Sequence, residues 1–123
     1  MKDIDIGFVA LNAGTYAAGP IDLVEDEAFE IQYGLNVLHV VYMIKALLER
    51  QMKREKRSAI MITSSGISYM PGLPGIQSYV CTKKCVSVFG EALYYELKDH
   101  NVDVLAWNAG GIDTAMTRDS GRP

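Results

Sequence analysis

Three short apolar runs are separated by two longer stretches in which apolar residues recur at helical spacing. The short runs are Ile4–Leu11, Ser58–Thr63 and Val102–Trp107. Runs of this length, closed by asparagine, glycine or serine, are typical of strands that are buried on both faces of a parallel sheet. The hydrophobic pattern therefore predicts three buried strands.

The two longer stretches predict helices over about Asp26–Arg54 and Tyr79–Asp99, with Asp26 as the N-cap of the first. Gly34 and Asn36 interrupt the first helix, so we expect a local irregularity such as a kink there. The apolar residues that keep the helical spacing of the first stretch are Phe29, Ile31, Leu35, Leu38, Val41, Ile44, Leu47 and Leu48.

The order strand, helix, strand, helix, strand predicts an α/β protein with a parallel sheet and right-handed crossovers. In such sheets, ligands bind beyond the carboxyl ends of the strands. The segments 12–14, 64–66 and 110–114 follow the three strands and carry glycines, amides or hydroxyls. We therefore expect these three segments to meet at one rim of the sheet and to form the site.

Composition narrows the class of protein further. The 123 residues suffice for one domain, and a hydrophobic share of 49% is typical of a globular one. The net charge is −3, and no basic stripe suggests a nucleic-acid partner. Cys81 and Cys85 match neither a C-x-x-C motif nor a zinc site. We expect them to be buried or partly buried thiols in a reducing compartment.

The sequence does not predict a targeting segment or a membrane span. No signal-peptide pattern opens the chain, and the most apolar stretch, Leu35–Leu48, is interrupted by polar residues. We expect a cytoplasmic protein with no membrane span in this chain, although a longer parent protein could carry an anchor.

Tyr79 and Lys83 stand four residues apart at the start of the second helix, and Ser64 and Ser65 close the strand before it. A phenol with a pKa of about 10 is a weak acid–base group at neutral pH. An ammonium one helical turn away shares its helix face and favours the phenolate. A nearby serine hydroxyl can hold a substrate oxygen. The group can therefore transfer a proton at a carbonyl or an alcohol.

A second pair with the same spacing, Tyr94 and Lys98, lies far along the same helix. No serine-bearing loop precedes it. We expect this pair to be ordinary helix surface.

In this order, these elements resemble the motifs of the short-chain dehydrogenase/reductase family. The family's Asn-Asn-Ala-Gly turn is similar to Leu11–Gly14, and its mid-helix asparagine is similar to Asn36. Its Ser-Ser signature matches Ser64–Ser65, and its Tyr-x-x-x-Lys motif matches Tyr79–Lys83. Its Pro-Gly-x-x-x-Thr stretch resembles Ala109–Thr114. The resemblance implies a partial Rossmann-type, doubly wound parallel sheet, with residues 1–123 forming one partial dinucleotide-binding domain.

The resemblance also implies site roles, with NAD or NADP as cofactor and a small-molecule alcohol or ketone as substrate. Tyr79 would exchange a proton with the substrate oxygen, and Ser65, with Ser64 as the alternative, would bind that oxygen. Lys83 would lower the pKa of Tyr79 and bind the nicotinamide ribose, and Asn36 would hold a water in a proton relay. Besides Tyr79 and Lys83, the cofactor would contact Asn12, Ala13, Gly14, Gly110, Ile112 and Thr114.

Within the family, Ser65–Pro71 and Phe89–Leu97 most resemble hydroxysteroid dehydrogenases and long-chain 3-oxoacyl-CoA reductases. Family members also pair through their two long helices, which implies a homo-oligomer or a complementing chain as partner.

Two features depart from the family pattern. The sequence contains no G-x-x-x-G-x-G or G-x-G-x-x-G phosphate loop, and it ends soon after Thr114. We therefore expect a fragment or one half of a split protein. Two hypotheses for function remain: an NAD(P)-dependent oxidoreductase, and a catalytically inactive scaffold or interaction subunit derived from the same family.

Overall fold

The computed structural model describes residues 4–112, and its three strands form one parallel sheet in the order β1-β2-β3. The strands are β1 (Phe8–Leu11), β2 (Ser58–Thr63) and β3 (Val102–Trp107). The α/β prediction is confirmed, and the bounds of β2 and β3 are those predicted. The first strand begins at Phe8 rather than Ile4, because pairing with β2 starts where Phe8 lies opposite Ala59.

Two long helical segments connect the strands. After β1 come α1 (Asp26–Tyr33), a π-helical segment (Gly34–Leu38) and α2 (His39–Met52). After β2, a short 3₁₀ turn (Gly66–Tyr69) leads to α3 (Gln77–Leu97). The prediction of two long helices is therefore confirmed to within about two residues at each end.

Asp26 does not cap the first helix as predicted. Glu25 occupies the N-cap position in an extended conformation, and no side chain makes a capping hydrogen bond there. The helix starts one residue earlier than a cap at Asp26 would require. The carboxylates of Asp26 and Glu27 lie in the first turn, where they still complement the helix dipole.

The irregularity predicted at Gly34 and Asn36 is a π-helical segment. The amide of His39 donates to the carbonyl of Gly34, five residues back rather than four. Such wide turns inside α-helices occur frequently at functional sites. Asn36 lies in the middle of this segment and is only 1% exposed.

The helices cover one face of the sheet. Gly90 of α3 lies so close to β3 that an added Cβ would stand 2.8 Å from the Cβ of Ala106. Only glycine permits this approach. The buried apolar cluster between helices and sheet consists of Leu11, Val40, Ile44, Ile60, Ile62, Val86, Leu93, Leu97 and Val102.

The outer face of α3 carries Cys81 and Cys85, which are exposed free thiols. The expectation that they are buried is therefore wrong. The sheet-facing positions of α3 belong to Val86, Gly90 and Leu93, and residues 81 and 85 fall on the opposite side of the helix.

Within residues 4–112, the continuous helical run Asp26–Met52 is long and apolar enough, by length and composition, to cross a membrane. In this fold Val40 and Ile44 from that run belong to the apolar cluster against the sheet. The run also contains Gln32 and Asn36, two fully buried amides that bond to neighbouring segments. These contacts are those of a helix that packs one face against the sheet.

The second face of the sheet is bare among the described residues. Phe8, Leu105 and Trp107 alternate onto this face and are 60%, 56% and 41% exposed. Ala10, Met61 and Leu105 are aligned across the three strands, so the exposed apolar surface is continuous. Parallel sheets normally bury both faces, so this surface favours association.

We expect the 123-residue chain on its own to self-associate through this face. Leu105→Lys places a charge on this face and should shift sedimentation towards the monomer, whereas Leu23→Lys, at a more exposed loop leucine, should not. Trp107 is the single tryptophan and lies on the same face, so its fluorescence should shift to shorter wavelength with rising concentration. A monodisperse monomer with concentration-independent emission would contradict this expectation.

Candidate active site

The loops after the three strands are joined at one rim of the sheet. The amide of Ser64 donates to the carbonyl of Trp107 at 2.9 Å, and the amide of Gly66 donates to Ala109 at 2.6 Å. The hydroxyl of Thr63 donates to the side chain of Asn12 at 2.9 Å. The carboxyl ends of β1, β2 and β3 therefore build one continuous surface, where ligands of open α/β sheets bind.

The two serines after β2 have different surroundings. The Ser64 hydroxyl is buried and donates to the main-chain carbonyl of Lys83 at 2.7 Å, which ties the strand end to α3. The Ser65 hydroxyl accepts from the amide of Ile67 and lies close to the phenol of Tyr79, whose pKa it lowers. Ser65 is therefore the serine that faces the tyrosine, and Ser64 is held by the framework.

Tyr79 is half-buried at the start of α3. Burial is the main cause that raises the pKa of its phenol, the Ser65 hydrogen bond lowers it, and Tyr16 raises it. The net direction is upwards, opposite to the lowering expected from Lys83. The reason is that desolvation of the phenolate outweighs the other causes in the protein without a ligand.

Lys83 is buried, only 6% exposed, and its Nζ lies 5.8 Å from the centre of the Tyr79 ring. Burial lowers the pKa of this ammonium. Its Nζ donates to the carbonyl of Thr63 at 3.0 Å. An ammonium has three N–H donors, so two remain for a ligand as far as the described residues are concerned. An added Cβ on Gly14 would come within 3.4 Å of the same Nζ.

Asn36 has its side chain fully engaged with protein groups. Its Nδ2 donates to the carbonyl of Thr15 at 2.9 Å and to the hydroxyl of Thr82 at 3.1 Å. Its Oδ1 accepts from the amide of Thr15 at 2.8 Å. Both amide N–H groups are used, so the observed role of the side chain is to tie the loop after β1 to α3. The water-relay role stays a prediction.

Sequence reasoning missed Gln32 and Tyr16. Gln32 is fully buried and bridges Ala17 to Ser78, and Tyr16 packs its ring against Tyr79. One signal could have indicated Gln32: it stands four residues before Asn36, so the two amides share one helix face. No sequence signal distinguishes Tyr16 from the other six tyrosines.

The remaining predicted cofactor residues lie along the same rim or outside the described part of the chain. Asn12 and Ala13 are exposed after β1, and Gly110 and Ile112 are exposed after β3. Thr114 lies outside residues 4–112. The second tyrosine–lysine pair, Tyr94 and Lys98, is exposed on the far part of α3, as expected of helix surface.

This fold, with a serine, a tyrosine and a buried lysine at the carboxyl rim, defines a partial Rossmann-type domain. The family model for short chain dehydrogenases matches residues 1–123. The chain belongs to the short-chain dehydrogenase/reductase family.

Similar proteins agree with this assignment. The chain is 30% identical over 112 residues to the diacetyl reductase [(S)-acetoin forming] of Staphylococcus aureus, covering 91% of this chain and 43% of that enzyme. Among solved structures, it is similar to the NADH complex of 3-ketoacyl-(acyl-carrier-protein) reductase from Brucella melitensis, with a TM-score of 0.85 and 25% identity over 93% of this chain and 48% of that one.

A short chain dehydrogenase from Burkholderia cenocepacia J2315 in complex with NADP gives a TM-score of 0.85 at 26% identity, covering 99% of this chain and 52% of that one. The chain thus spans about half the length of these relatives or less.

The two serines give opposite expectations for mutation. Ser65→Ala removes the hydrogen bond that lowers the pKa of Tyr79, so the phenol should titrate at higher pH with little loss of stability. Ser64→Ala removes a buried hydrogen bond and should lower the free energy of unfolding by about 1 kcal/mol, with the Tyr79 titration unchanged.

Labelling tyrosine with ¹³C at Cζ, with Tyr79→Phe to assign the resonance, measures the titration, and urea unfolding measures stability. If Ser64→Ala alone moves the Tyr79 titration, the assignment of the two serines is reversed.

Proposed function

We propose that the protein containing this chain is an NAD(P)-dependent oxidoreductase that interconverts a secondary alcohol and a ketone. The observation that carries the proposal is the Ser65 hydroxyl close to the Tyr79 phenol, with the buried Lys83 ammonium one helical turn away. Ser65 follows β2, and the end of β2 is bonded to Lys83 of α3, so these groups lie at the rim where α/β proteins bind ligands.

In this proposal Tyr79 exchanges the proton with the substrate oxygen. A raised pKa keeps the phenol protonated at neutral pH, which suits it to donate a proton when a ketone is reduced. Ser65 lies close to the phenol, so a carbonyl oxygen in contact with both hydroxyls would receive two donors. Such donors stabilise the negative charge that develops on that oxygen.

Lys83 is suited to the cofactor side of the site. Its Nζ uses one N–H donor on the carbonyl of Thr63 and lies next to Gly14, where a side chain would crowd it. A ribose with two hydroxyls fits such a donor, and a nicotinamide would supply the hydride chemistry. With Tyr79 and Lys83, the rim residues Asn12, Ala13, Gly14, Gly110 and Ile112 are the candidates to hold it. Both NADH-bound and NADP-bound neighbours are similar to this chain, so either nucleotide suits the proposal.

For the substrate, we propose a ketone on a larger carbon skeleton, such as a 3-oxoacyl chain or a steroid. The loop Ser65–Pro71 and the helix segment Phe89–Leu97 support this, as does the similarity to a 3-ketoacyl reductase. The similarity to a diacetyl reductase favours a small ketone instead. Turnover of a 3-oxoacyl thioester compared with turnover of diacetyl separates the two. We propose the cytoplasm as its location.

The outer faces of the helices support a homo-oligomer as the partner. Exposed apolar residues recur at alternating spacings of four and three along α3, which is the pattern of a helix–helix seam. On the first helical run, Ile31, Leu38 and Tyr42 are exposed at matching intervals. We propose that the two helices pair with those of a second copy. The residues of the α3 stripe are Cys81, Cys85, Val88, Ala92 and Tyr95.

A second candidate function is an inactive scaffold or interaction subunit. The observation that favours it is the absence of a glycine-rich phosphate loop from this sequence. Fluorescence titration with NADH and NADPH, of this chain alone and with a complementing chain, separates the candidates. Absence of binding in both samples supports the scaffold.

Tyr79→Phe in a full-length protein that carries this segment should abolish nearly all turnover, because the proton donor is lost. Losing a general acid of this kind lowers the rate by about 10² to 10⁴. Affinity for NADH should stay within about twofold by fluorescence titration, and Tyr94→Phe, in the pair on the helix surface, is the matched control. Turnover retained by Tyr79→Phe would remove the phenol from the mechanism.

Val88→Glu should weaken oligomers that form through α3, because it places a charge in the middle of the stripe. Ile21→Glu, at a loop residue of similar exposure, is the control. Sedimentation of both variants in the Leu105→Lys background isolates the helix contact from the sheet face. Equal sedimentation of the two variants would contradict the helix seam.

A further inference from the structure

Two buried amides lie four residues apart in the first helical run, and both reach the same pair of segments. Gln32 and Asn36 are 0% and 1% exposed. Each bonds on one side to the loop after β1 and on the other side to α3. Buried amides are costly unless their hydrogen bonds are made, so such paired contacts fix the segments that they join.

The hydrogen bonds of the two amides reach residues adjacent to two tyrosines, Tyr16 and Tyr79. Gln32 accepts from the amide of Ala17 at 2.8 Å and donates to the Ser78 hydroxyl at 3.3 Å. Ala17 follows Tyr16, and Ser78 precedes Tyr79.

Asn36 bonds to residues on the other side of the same two tyrosines. It bonds to the amide and the carbonyl of Thr15 and to the hydroxyl of Thr82. The Thr82 hydroxyl in turn donates to the carbonyl of Tyr79 at 2.8 Å. The residues on both sides of Tyr16 are therefore tied to residues around Tyr79.

The two tyrosine rings meet between these ties. The Tyr16 and Tyr79 rings lie edge to face, with centroids 5.1 Å apart and planes at 80°. This arrangement is a favoured geometry for aromatic pairs. It leaves the Tyr79 phenol close to Ser65 on the loop after β2.

We propose that Gln32 and Tyr16 are positioning residues for Tyr79: Gln32 holds the loop after β1 against α3, and the Tyr16 ring supports the Tyr79 ring with its hydroxyl directed at Ser65. The inference rests on the proposed function for its catalytic meaning, while its structural content concerns the tyrosine pair alone.

The surroundings of Tyr79 make the proposal measurable. Among the described residues, the titratable groups placed against the phenol are Tyr16 from the β1–α1 loop and Lys83 from its own helix. Burial and Tyr16 both raise the pKa of Tyr79, and only the Ser65 hydrogen bond lowers it. Releasing the β1–α1 loop weakens both raising causes and leaves the lowering one, so the pKa should fall towards the ordinary value of about 10.

The test uses the 123-residue chain labelled with ¹³C at tyrosine Cζ. Gln32→Met keeps the shape of the side chain but removes both hydrogen bonds, and Tyr16→Leu removes the supporting ring. We expect each to lower the pKa of Tyr79. Tyr16→Phe keeps the ring and should largely preserve the Tyr79 resonance at neutral pH.

Gln51→Met is the matched control. Gln51 is also a glutamine buried to 1%, on α2 at the opposite end from the rim, and its side-chain amide has no hydrogen-bond partner in the described structure. This variant should leave the Tyr79 titration unchanged. A merely structural role of Gln32 would lower the stability of Gln32→Met and leave its Tyr79 titration as unchanged as that of Gln51→Met.

In a full-length protein carrying the segment, Gln32→Met should lower kcat at least tenfold with KM for the cofactor within twofold, because a small displacement of a catalytic group is costly. If Gln32→Met fails to fold by circular dichroism, Tyr16→Leu decides the matter.

An unchanged Tyr79 titration in Tyr16→Leu, or in folded Gln32→Met, overturns the proposal even where Tyr79→Phe is inactive. Turnover retained by Tyr79→Phe instead removes the proposed function and leaves the hydrogen bonds of Gln32 and Asn36 unaffected.

Discussion

The parallel pairing of β1, β2 and β3 is the constraint on which the rest of this domain depends. Parallel strands deliver all of their carboxyl ends to one rim, and each end is followed by a loop that must satisfy its own polar groups there. In this chain the loops do so through one another, from Asn12 to Thr63 and from Gly66 to Ala109. Chemistry scattered over a hundred residues of sequence therefore meets on one surface.

The sequence was sufficient for most of the architecture. The strands β2 and β3 were predicted to the residue, because each is a six-residue apolar run with no competing period. The interruption of the first long helix was also predicted, because Gly34 and Asn36 are poor residues for a helix interior. Its form as a π segment was not, since these two residues disfavour a regular helix without specifying a π turn over a kink.

The errors share a physical cause. Three features were predicted wrongly: the N-cap at Asp26, the start of β1 and the burial of Cys81 and Cys85. Each depends on which residues lie nearby in the folded structure, and the sequence alone does not give those distances. The same holds for the pKa of Tyr79. Its direction follows from how much water the fold removes, and the Lys83 charge that the spacing suggested is itself partly desolvated.

The packing of Gly90 against β3 also influences residues far from it on the same helix. Its missing side chain lets α3 lie against Ala106, which fixes how far the helix stands from the sheet and where it sits along its own axis. Tyr79 and Lys83 lie on the same helix. At a rise of 1.5 Å per residue, Tyr79 is about 16 Å from Gly90. A single added methyl group at position 90 would push α3 away from β3. The Tyr79 phenol would then be displaced although no residue in contact with it had changed.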